Sequence, residues 1–330
     1  MRKLVVATGL ALTLACVAAG AADADCQIAQ VAEFHPDFTD GSPVIDGEIN
    51  GQPARMVIDS GSDLSIVTMS AVGRLGLVAT GLIGGQVYGV GGGTQLGVTT
   101  LKELKVGGQT EHNLTVAVGA DPGGRLPYDM LLGEDMLSQF DVEFDFPDGA
   151  IRLMRTKDCQ PAQLVYWNKP YAMAPLREEM HTDVMLNGHR VTAQIDSGAS
   201  ETTVGGVAAE AVGALPATTG ETAVGVGPKE VTTKSATFAT FALGQEQIQR
   251  ARLTIQGFRH GMTYTETGTN LPKQIEGTPS MLLGDDFLRA HRVFVSNAAH
   301  TIVFSYVGGP VFAPLPDDAP TAADAKPPPQ

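Results

Sequence analysis

The chain has 330 residues, of which 43% are hydrophobic and 18% charged, so it can bury a core in one large domain or two smaller ones. Its formal net charge of −14 argues against nucleic acid and anionic membranes as partners. The seven histidines show no metal-ligand spacing, so we expect no metal site. The glycines at 89–93 lack the Gly-Lys-Ser/Thr ending of a phosphate loop, and no other cofactor is expected. Composition alone does not identify a substrate.

Residues 1–24 have the pattern of a secretory signal peptide. Arg2 and Lys3 form a basic start, an apolar run follows from Leu4, and small residues then offer cleavage sites. Cleavage would export the protein to the periplasm or the medium. Two alternatives remain open, namely an uncleaved membrane anchor and lipidation at Cys16.

Two cysteines, Cys26 and Cys159, would remain in the mature chain. Exported proteins encounter oxidising conditions, so this pair predicts one disulfide. It would join the mature N-terminus to the segment between the two halves of the chain. The alternative is two free thiols.

Between residues 38 and 154 the sequence predicts short strands separated by turns. Asn50-Gly51 lies between two apolar stretches, as in a tight hairpin whose second arm runs into Asp59. In chain order there follow a strand at 64–68, a short helix at 70–77, a glycine-rich hairpin tip at 84–93, strands at 99–106 and 114–118, the sequence Met-Leu-Leu-Gly at 130–133, and a hairpin that turns at 148–149.

The second half of the chain repeats this order. Ile-Asp-Ser-Gly recurs 137 residues after its first copy, and Met-Leu-Leu-Gly recurs 151 residues after its first copy. The difference of 14 predicts an insertion, which composition places at 257–279. The predicted organisation is a signal at 1–24, an N-terminal lobe at 25–156, a linker at 157–174, a C-terminal lobe at 175–308 and a disordered tail at 309–330.

Each half supplies one acid at an equivalent position, which suggests that Asp59 and Asp196 face each other across a pseudo-twofold axis. Two carboxyl groups about 3 Å apart cannot both ionise, so they share a proton and hold an acid and a base at once. Such a pair can activate a water against a peptide carbonyl without a metal or a covalent nucleophile. The alternative is a pair of aspartates that only shape turns.

The residues beside the two acids fit this chemistry. Gly61 and Gly198 permit a sharp turn behind each acid. Ser60 and Ser197 are placed to hydrogen-bond across the lobe boundary. Asp135 and Asp286 also repeat, and we expect them to cap the short helix after each Met-Leu-Leu-Gly.

Four motifs in this order resemble the retropepsin-like aspartic proteases, in the clan that also contains pepsin, over residues 40–306. Asp-Ser-Gly and Leu-Leu-Gly each occur twice, with the structural residues Leu132, Gly133, Leu283 and Gly284 in the second motif. The resemblance implies an all-β fold with two homologous β-barrel lobes related by a pseudo-twofold axis and the active site between them. It also implies an aspartic endopeptidase with Asp59 and Asp196 as its catalytic pair.

The resemblance implies further that the glycine-rich tips are flaps over a bound peptide. These are Tyr88, Gly89, Val90 and Gly91 in the first lobe and Val224, Gly225, Val226 and Gly227 in the second. Ordinary solvated hairpins, with Tyr88 as a half-buried strand residue, are the alternative.

Ser62 corresponds to a residue whose hydroxyl often bonds the catalytic carboxylate, whereas Ala199 has no hydroxyl. This difference favours Asp59 as the more readily ionised acid. The expected protein is a monomer that cleaves extended polypeptide. The alternative is a catalytically silent module that binds peptides or an envelope partner.

Overall fold

The computed structural model describes residues 25–38, 41–81, 86–89, 92–121, 126–223, 229–257, 261–265, 272–274, 279–315 and 325–326. The predicted signal at 1–24 lies outside these residues. Within them, no helix is both long enough and apolar enough to cross a membrane.

The described residues of the first half form eleven strands and two short helices. The strands are β1 (Gln27–Phe34), β2 (Val44–Ile49), β3 (Gln52–Ile58), β4 (Ile66–Thr68), β5 (Gln86–Gly89), β6 (Gly92–Thr94), β7 (Gly97–Val106), β8 (Gln109–Gly119), β9 (Met130–Leu132), β10 (Asp141–Asp145) and β11 (Ala150–Lys157). The helices are α1 (Met69–Leu75) and α2 (Glu134–Leu137), and a 3₁₀ turn covers Phe146–Asp148.

The second half follows the same order. Its strands are β12 (Ala172–Pro175), β13 (His181–Leu186), β14 (His189–Ile195), β15 (Thr203–Gly205), β16 (Ala217–Ala223), β17 (Val231–Leu243), β18 (Glu246–Gln256), β19 (Gly261–Thr265), β20 (Pro272–Gln274), β21 (Met281–Leu283), β22 (His291–Ser296), β23 (Thr301–Tyr306) and β24 (Ala325–Lys326). The helices are α3 (Gly206–Ala211) and α4 (Asp285–Ala290), and 3₁₀ turns cover Pro161–Leu164 and Glu178–Met180.

Each half closes into a six-stranded barrel. In the first lobe the strands follow the order β2-β3-β9-β4-β8-β7. In the second lobe β13, β14, β21, β15, β18 and β17 occupy the equivalent places, and a β17–β18 pairing closes the ring. The predicted all-β fold with two homologous barrel lobes is confirmed.

The two Asn-Gly turns form as predicted because both residues adopt the left-handed backbone that such a turn requires. Asn50 and Gly51 have φ angles of 51° and 74°, and Asn187 and Gly188 have 50° and 79°. The Asn50 side chain also accepts the backbone N–H groups of Lys102 and Glu103, at 2.8 and 3.0 Å. The turn is therefore fastened to the neighbouring strand β7, which fixes the hairpin that leads to Asp59.

A six-stranded antiparallel sheet joins the lobes in the order β1-β11-β10-β22-β23-β12. The two halves meet at its centre, where Val142 lies opposite Val295 and Phe144 opposite Val293. The core cluster beside this sheet contains residues of both halves, so the lobes share one hydrophobic core.

The disulfide between Cys26 and Cys159 is present, with 4.4 Å between the Cα atoms, as predicted. It joins the chain just before β1 to the segment just after β11. The edge of the six-stranded sheet is thereby fixed to the start of the segment that connects the lobes.

The predicted insertion lies between β18 and β21. There, 24 residues separate the two strands, whereas 10 separate β8 from β9 in the first lobe, and the difference is the expected 14. The inserted strands β19 and β20 form a four-stranded sheet with β5 and β6 of the first lobe, in the order β20-β19-β5-β6.

The predicted boundary of the tail at residue 309 is too early. Val311 and Phe312 are buried, and the Phe312 ring packs on Phe241 with 5.0 Å between ring centroids. Apolar burial therefore holds this stretch against the second lobe, although its Pro and Gly content suggested disorder.

Candidate active site

Two sharp turns at the ends of β3 and β14 carry the two acids. The Asp59 backbone N–H donates to the Leu132 carbonyl, and the Asp196 N–H donates to the Leu283 carbonyl, each at 3.0 Å. β9 pairs in parallel with β3, and β21 pairs in parallel with β14. Each Leu-Leu-Gly sequence therefore fixes the position of the acid that follows its partner strand.

The two turns are cross-linked by their serines. The Ser60 hydroxyl donates to the Ile195 carbonyl and the Ser197 hydroxyl donates to the Ile58 carbonyl, each at 2.8 Å. Each hydroxyl also accepts the backbone N–H of the other serine, at 3.1 and 3.0 Å. These four bonds are buried, and they hold the two acids in one fixed relation.

Each carboxyl group lies against the glycine of the opposite lobe. A Cβ atom on Gly198 would lie 2.5 Å from the Cγ of Asp59, and one on Gly61 would lie closer still to the Cγ of Asp196. Only glycine leaves room for this approach. The two acids also interact through a side-chain hydrogen bond.

Burial and the neighbouring Asp196 carboxylate raise the pKa of Asp59 well above its usual range. Asp196 accepts the backbone N–H groups of Gly198 and Ala199 on one oxygen, both at 2.9 Å, which favours its ionised form. Asp59 accepts the equivalent N–H groups of its own turn, one of them at 3.1 Å, so these bonds do not distinguish the two acids. The expectation that Asp59 is the more readily ionised acid stays a prediction.

Ser62 does not play the part expected of its hydroxyl. That hydroxyl donates to the Leu64 carbonyl at 2.8 Å, and the residue supports Asp59 through its backbone N–H instead. The short span from Ser62 to Leu64 lets the side chain close a local turn, which competes with the bond to the carboxylate.

Gly133 and Gly284 lie where β9 and β21 pass the loops after each acid. A Cβ on Gly133 would lie 2.5 Å from the Leu64 carbonyl carbon, and one on Gly284 would lie 2.6 Å from that of Glu201. Both contacts are with backbone and cannot be relieved by side-chain rotation. The two glycines therefore allow the loops to pack under the pair of acids.

Neither Asp135 nor Asp286 is the N-cap residue of its short helix, although Asp286 accepts the Phe287 N–H in the first turn of α4 at 2.8 Å. The N-cap residues of α2 and α4 are Gly133 and Gly284, without a side-chain bond. Asp135 instead accepts the Ser65 backbone N–H and hydroxyl, at 2.9 and 2.6 Å. In the second lobe Asp286 accepts the same two groups from Thr202.

Three further ionisable residues near the site do not stand out in the sequence. The pKa of the Tyr128 hydroxyl is raised by burial and then by the charge of Asp59, which places this ring close to the acids. Burial and nearby acids raise the pKa of Glu134, and burial raises that of Asp285 to about 8. The one available signal for the last two is the acidic pair that follows each Met-Leu-Leu-Gly.

The first glycine-rich tip forms a hairpin of β5 and β6, in which Tyr88 pairs with Gly93 and Gly89 with Gly92. Val90 and Gly91 lie outside the described residues, as do Val224, Gly225, Val226 and Gly227 of the second tip. The flap role of these residues stays a prediction.

The two facing carboxyl groups can hold one proton between them and so offer a base and an acid to a water and a carbonyl group. Within the described part of the chain, no group of three or more His, Cys, Asp or Glu side chains is arranged to hold a metal ion.

Comparisons with known proteins show what parts of this chain are similar to. Residues 45–139 match the family described as gag-polyprotein putative aspartyl protease. The structure of a retropepsin-like aspartic protease from Rickettsia conorii is 20% identical to this chain, with a TM-score of 0.28, and the match covers 40% of this chain and 94% of that one. No curated protein matches the chain.

Proposed function

We propose that this chain is an aspartic endopeptidase whose catalytic pair is Asp59 and Asp196, a proposal supported by the match of residues 45–139 to the family described as gag-polyprotein putative aspartyl protease. The observation that carries the proposal is the packing of each carboxyl group against the glycine of the other lobe. The serine cross-links keep the acids in that relation without any further subunit.

In the proposed reaction, the ionised acid of the pair takes a proton from a water whose oxygen bonds to the peptide carbonyl carbon. The protonated acid gives its proton to the carbonyl oxygen, so a neutral diol forms. The first acid then passes its proton to the amide nitrogen, the C–N bond breaks, and a diol hydroxyl returns a proton to the second acid. The pair ends with one proton, as it began.

We propose that the substrate is an extended polypeptide that adds a strand between the lobes. Both acids come from one chain, so a monomer is sufficient. The Cys26–Cys159 disulfide supports export to an oxidising compartment.

The test is hydrolysis of a peptide library by the parent and by Asp59→Asn and Asp196→Asn. Either change removes a group that must hold or release a proton, so we expect the rate to fall by about 10³-fold. Asp46→Asn is the matched control, because Asp46 is exposed on β2 and lies outside the proposed pair.

Hydrolysis that survives Asp59→Asn would overturn the proposal. A parent that binds peptides with no turnover from acidic to neutral pH would instead support the catalytically silent binding module.

A further inference from the structure

Gln194 is a buried polar side chain beside the pair of acids that the proposed mechanism does not use. It lies on β14 two residues before Asp196, and the alternation of side chains along a strand puts it on the same face as that acid. The side chain is fully buried. The equivalent residue of the first lobe, 137 positions earlier, is Val57. Only one of the two lobes therefore has an amide at this position.

The amide group of Gln194 faces two backbone carbonyl groups. Its Nε2 donates to the Glu179 carbonyl at 3.2 Å and, over a longer distance of 3.5 Å, to the Ser60 carbonyl of the first lobe. A primary amide has two N–H groups, so one can serve each carbonyl. The opposite orientation would bring Oε1 against two acceptors, so the nitrogen must lie on this side. Oε1 then has no hydrogen-bond partner among the described residues.

The Glu179 carbonyl belongs to a turn with an unusual backbone conformation. Glu179 and Met180 have φ angles of 57° and 52°, in the left-handed region that residues other than glycine rarely adopt. The turn leads into β13, which pairs with β14 and places His181 opposite Gln194. Backbone strain of this kind persists where the surroundings enforce it. The strained turn and the unpaired Oε1 both indicate that stability alone does not explain why the amide lies here.

The Ser60 carbonyl belongs to the peptide group whose N–H reaches Asp59. This N–H is that of Gly61, which donates to Asp59 Oδ1 at 3.1 Å and opposes the rise in the pKa of Asp59. A donor to the carbonyl oxygen polarises the peptide group and makes its N–H a stronger donor. Gln194 therefore acts on Asp59 through one peptide group. In the other lobe, the equivalent valine has no donor to offer to the Ser197 carbonyl.

We propose that Gln194 is a positioning residue of the pair, which makes the two acids inequivalent by favouring the ionised form of Asp59. Its consequence for the reaction rests on the proposed protease function. In that reaction Gln194 favours Asp59 as the base that takes the proton from water, and Asp196 as the acid that protonates the carbonyl oxygen.

The effect on ionisation is tested without catalysis, in proteins where only one acid of the pair titrates. In Asp196→Asn, the titration midpoint of Asp59 is followed by the NMR resonance of its carboxyl carbon, with and without Gln194→Met. Methionine has a similar length and no N–H donor, so the Gly61 bond to the carboxylate weakens. We expect the Asp59 midpoint to rise by about half a pH unit. In Asp59→Asn, the matched background, Gln194→Met should leave the Asp196 midpoint unchanged.

Two further variants separate this effect from a general disturbance of β14. Thr192→Val is the control on the same face of the strand, because the Thr192 hydroxyl accepts Arg177 at 3.3 Å and its loss retains the amide. It should leave the Asp59 midpoint in place. Gln194→Val copies the residue of the first lobe and should give the same shift as Gln194→Met, which it replaces if the methionine variant does not fold. An unchanged Asp59 midpoint, or equal shifts for Asp59 and Asp196, would overturn the proposal.

The consequence for catalysis is tested by the pH profile of kcat/KM, which reports the acid and the base of the free enzyme. In Gln194→Met the acidic limb should move up by about half a pH unit. A merely structural role would lower kcat/KM by the same factor at every pH, and that result would overturn Asp59 as the favoured base. A shifted Asp59 midpoint without hydrolysis by the parent would leave the role of Gln194 standing and refute the protease proposal instead.

Discussion

Asp285 is an ionisable residue near the site that the proposed mechanism does not use. Its side chain is fully buried at the start of α4, where one oxygen accepts Arg289 at 3.1 Å and the other has no hydrogen-bond partner among the described residues. Burial raises its pKa to about 8, opposed by Arg289 and reinforced by Asp196 and Asp286. The folded protein therefore holds a proton on Asp285 at pH values where the unfolded chain has released it.

This proton makes the stability depend on pH in a stated direction. Between about pH 4 and pH 8 the folded state binds the extra proton, so the free energy of unfolding falls as pH rises, by at most about 1.4 kcal/mol per pH unit. Asp285→Asn removes the titrating group, so we expect urea unfolding of this variant to show a flatter pH profile than the parent. Identical slopes in the two proteins would show that Asp285 is ionised throughout.

At the scale of elements, a hydroxyl side chain in each lobe links a strand to the short helix that follows the Leu-Leu-Gly sequence. The strand is β4 in the first lobe and β15 in the second. The Ser65 hydroxyl donates to Asp135 at 2.6 Å and accepts the Gly133 N–H at 2.9 Å. In the second lobe Thr202 makes the same two bonds, to Asp286 at 2.5 Å and from Gly284 at 3.1 Å. The duplication has thus kept the hydroxyl and changed the rest of the side chain.

Ser65→Ala should therefore destabilise the first lobe. It leaves the Asp135 carboxylate and a buried N–H with one partner fewer, a loss of about 2–3 kcal/mol. Ser65→Thr is the matched control, because the second lobe already accommodates threonine, and it should remain within about 1 kcal/mol of the parent. Equal unfolding free energies for the alanine variant and the parent would contradict this role.

The sequence predicts those elements whose determinants are local. The Asn-Gly turns and the helix near residue 70 form where expected, because their signals lie within a few residues of the structure they specify. The role of Asp135 is mispredicted because its partner Ser65 is 70 residues away. The Ser62 hydroxyl is mispredicted for the opposite reason, since a local carbonyl competes with the distant carboxylate.

At the scale of the whole molecule, the repeated motifs predict two barrels and the facing acids, because equivalent sequences fold alike. They do not predict how the insertion pairs with β5. The two segments lie over 170 residues apart, and neither sequence contains a local signal for the register in which the strands pair. Nor do they predict that the lobes share a buried charged network on the six-stranded sheet.

That network lies where the two halves meet. Glu143 on β10 is fully buried and accepts Arg152 of the first half at 2.9 Å and Arg292 of the second half at 2.6 Å. Tyr166, from the segment between the lobes, also donates to Glu143, and the Arg292 guanidinium lies 5.0 Å from the centre of the Tyr166 ring. A buried carboxylate with several donors depends on each of them.

Arg292→Met tests whether this network holds the halves together. Removal of one cation leaves Glu143 buried with less compensation, so we expect the free energy of unfolding to fall by about 3 kcal/mol in urea titrations. Arg155→Met is the matched control on the same sheet, because Arg155 is exposed. Its guanidinium lies 5.4 Å from the centre of the Phe140 ring. Its effect should stay below about 1 kcal/mol. The double variant Glu143→Gln with Arg292→Met should recover part of the lost unfolding free energy, because the uncompensated charge is then removed. A further loss of similar size would indicate that the two residues act independently.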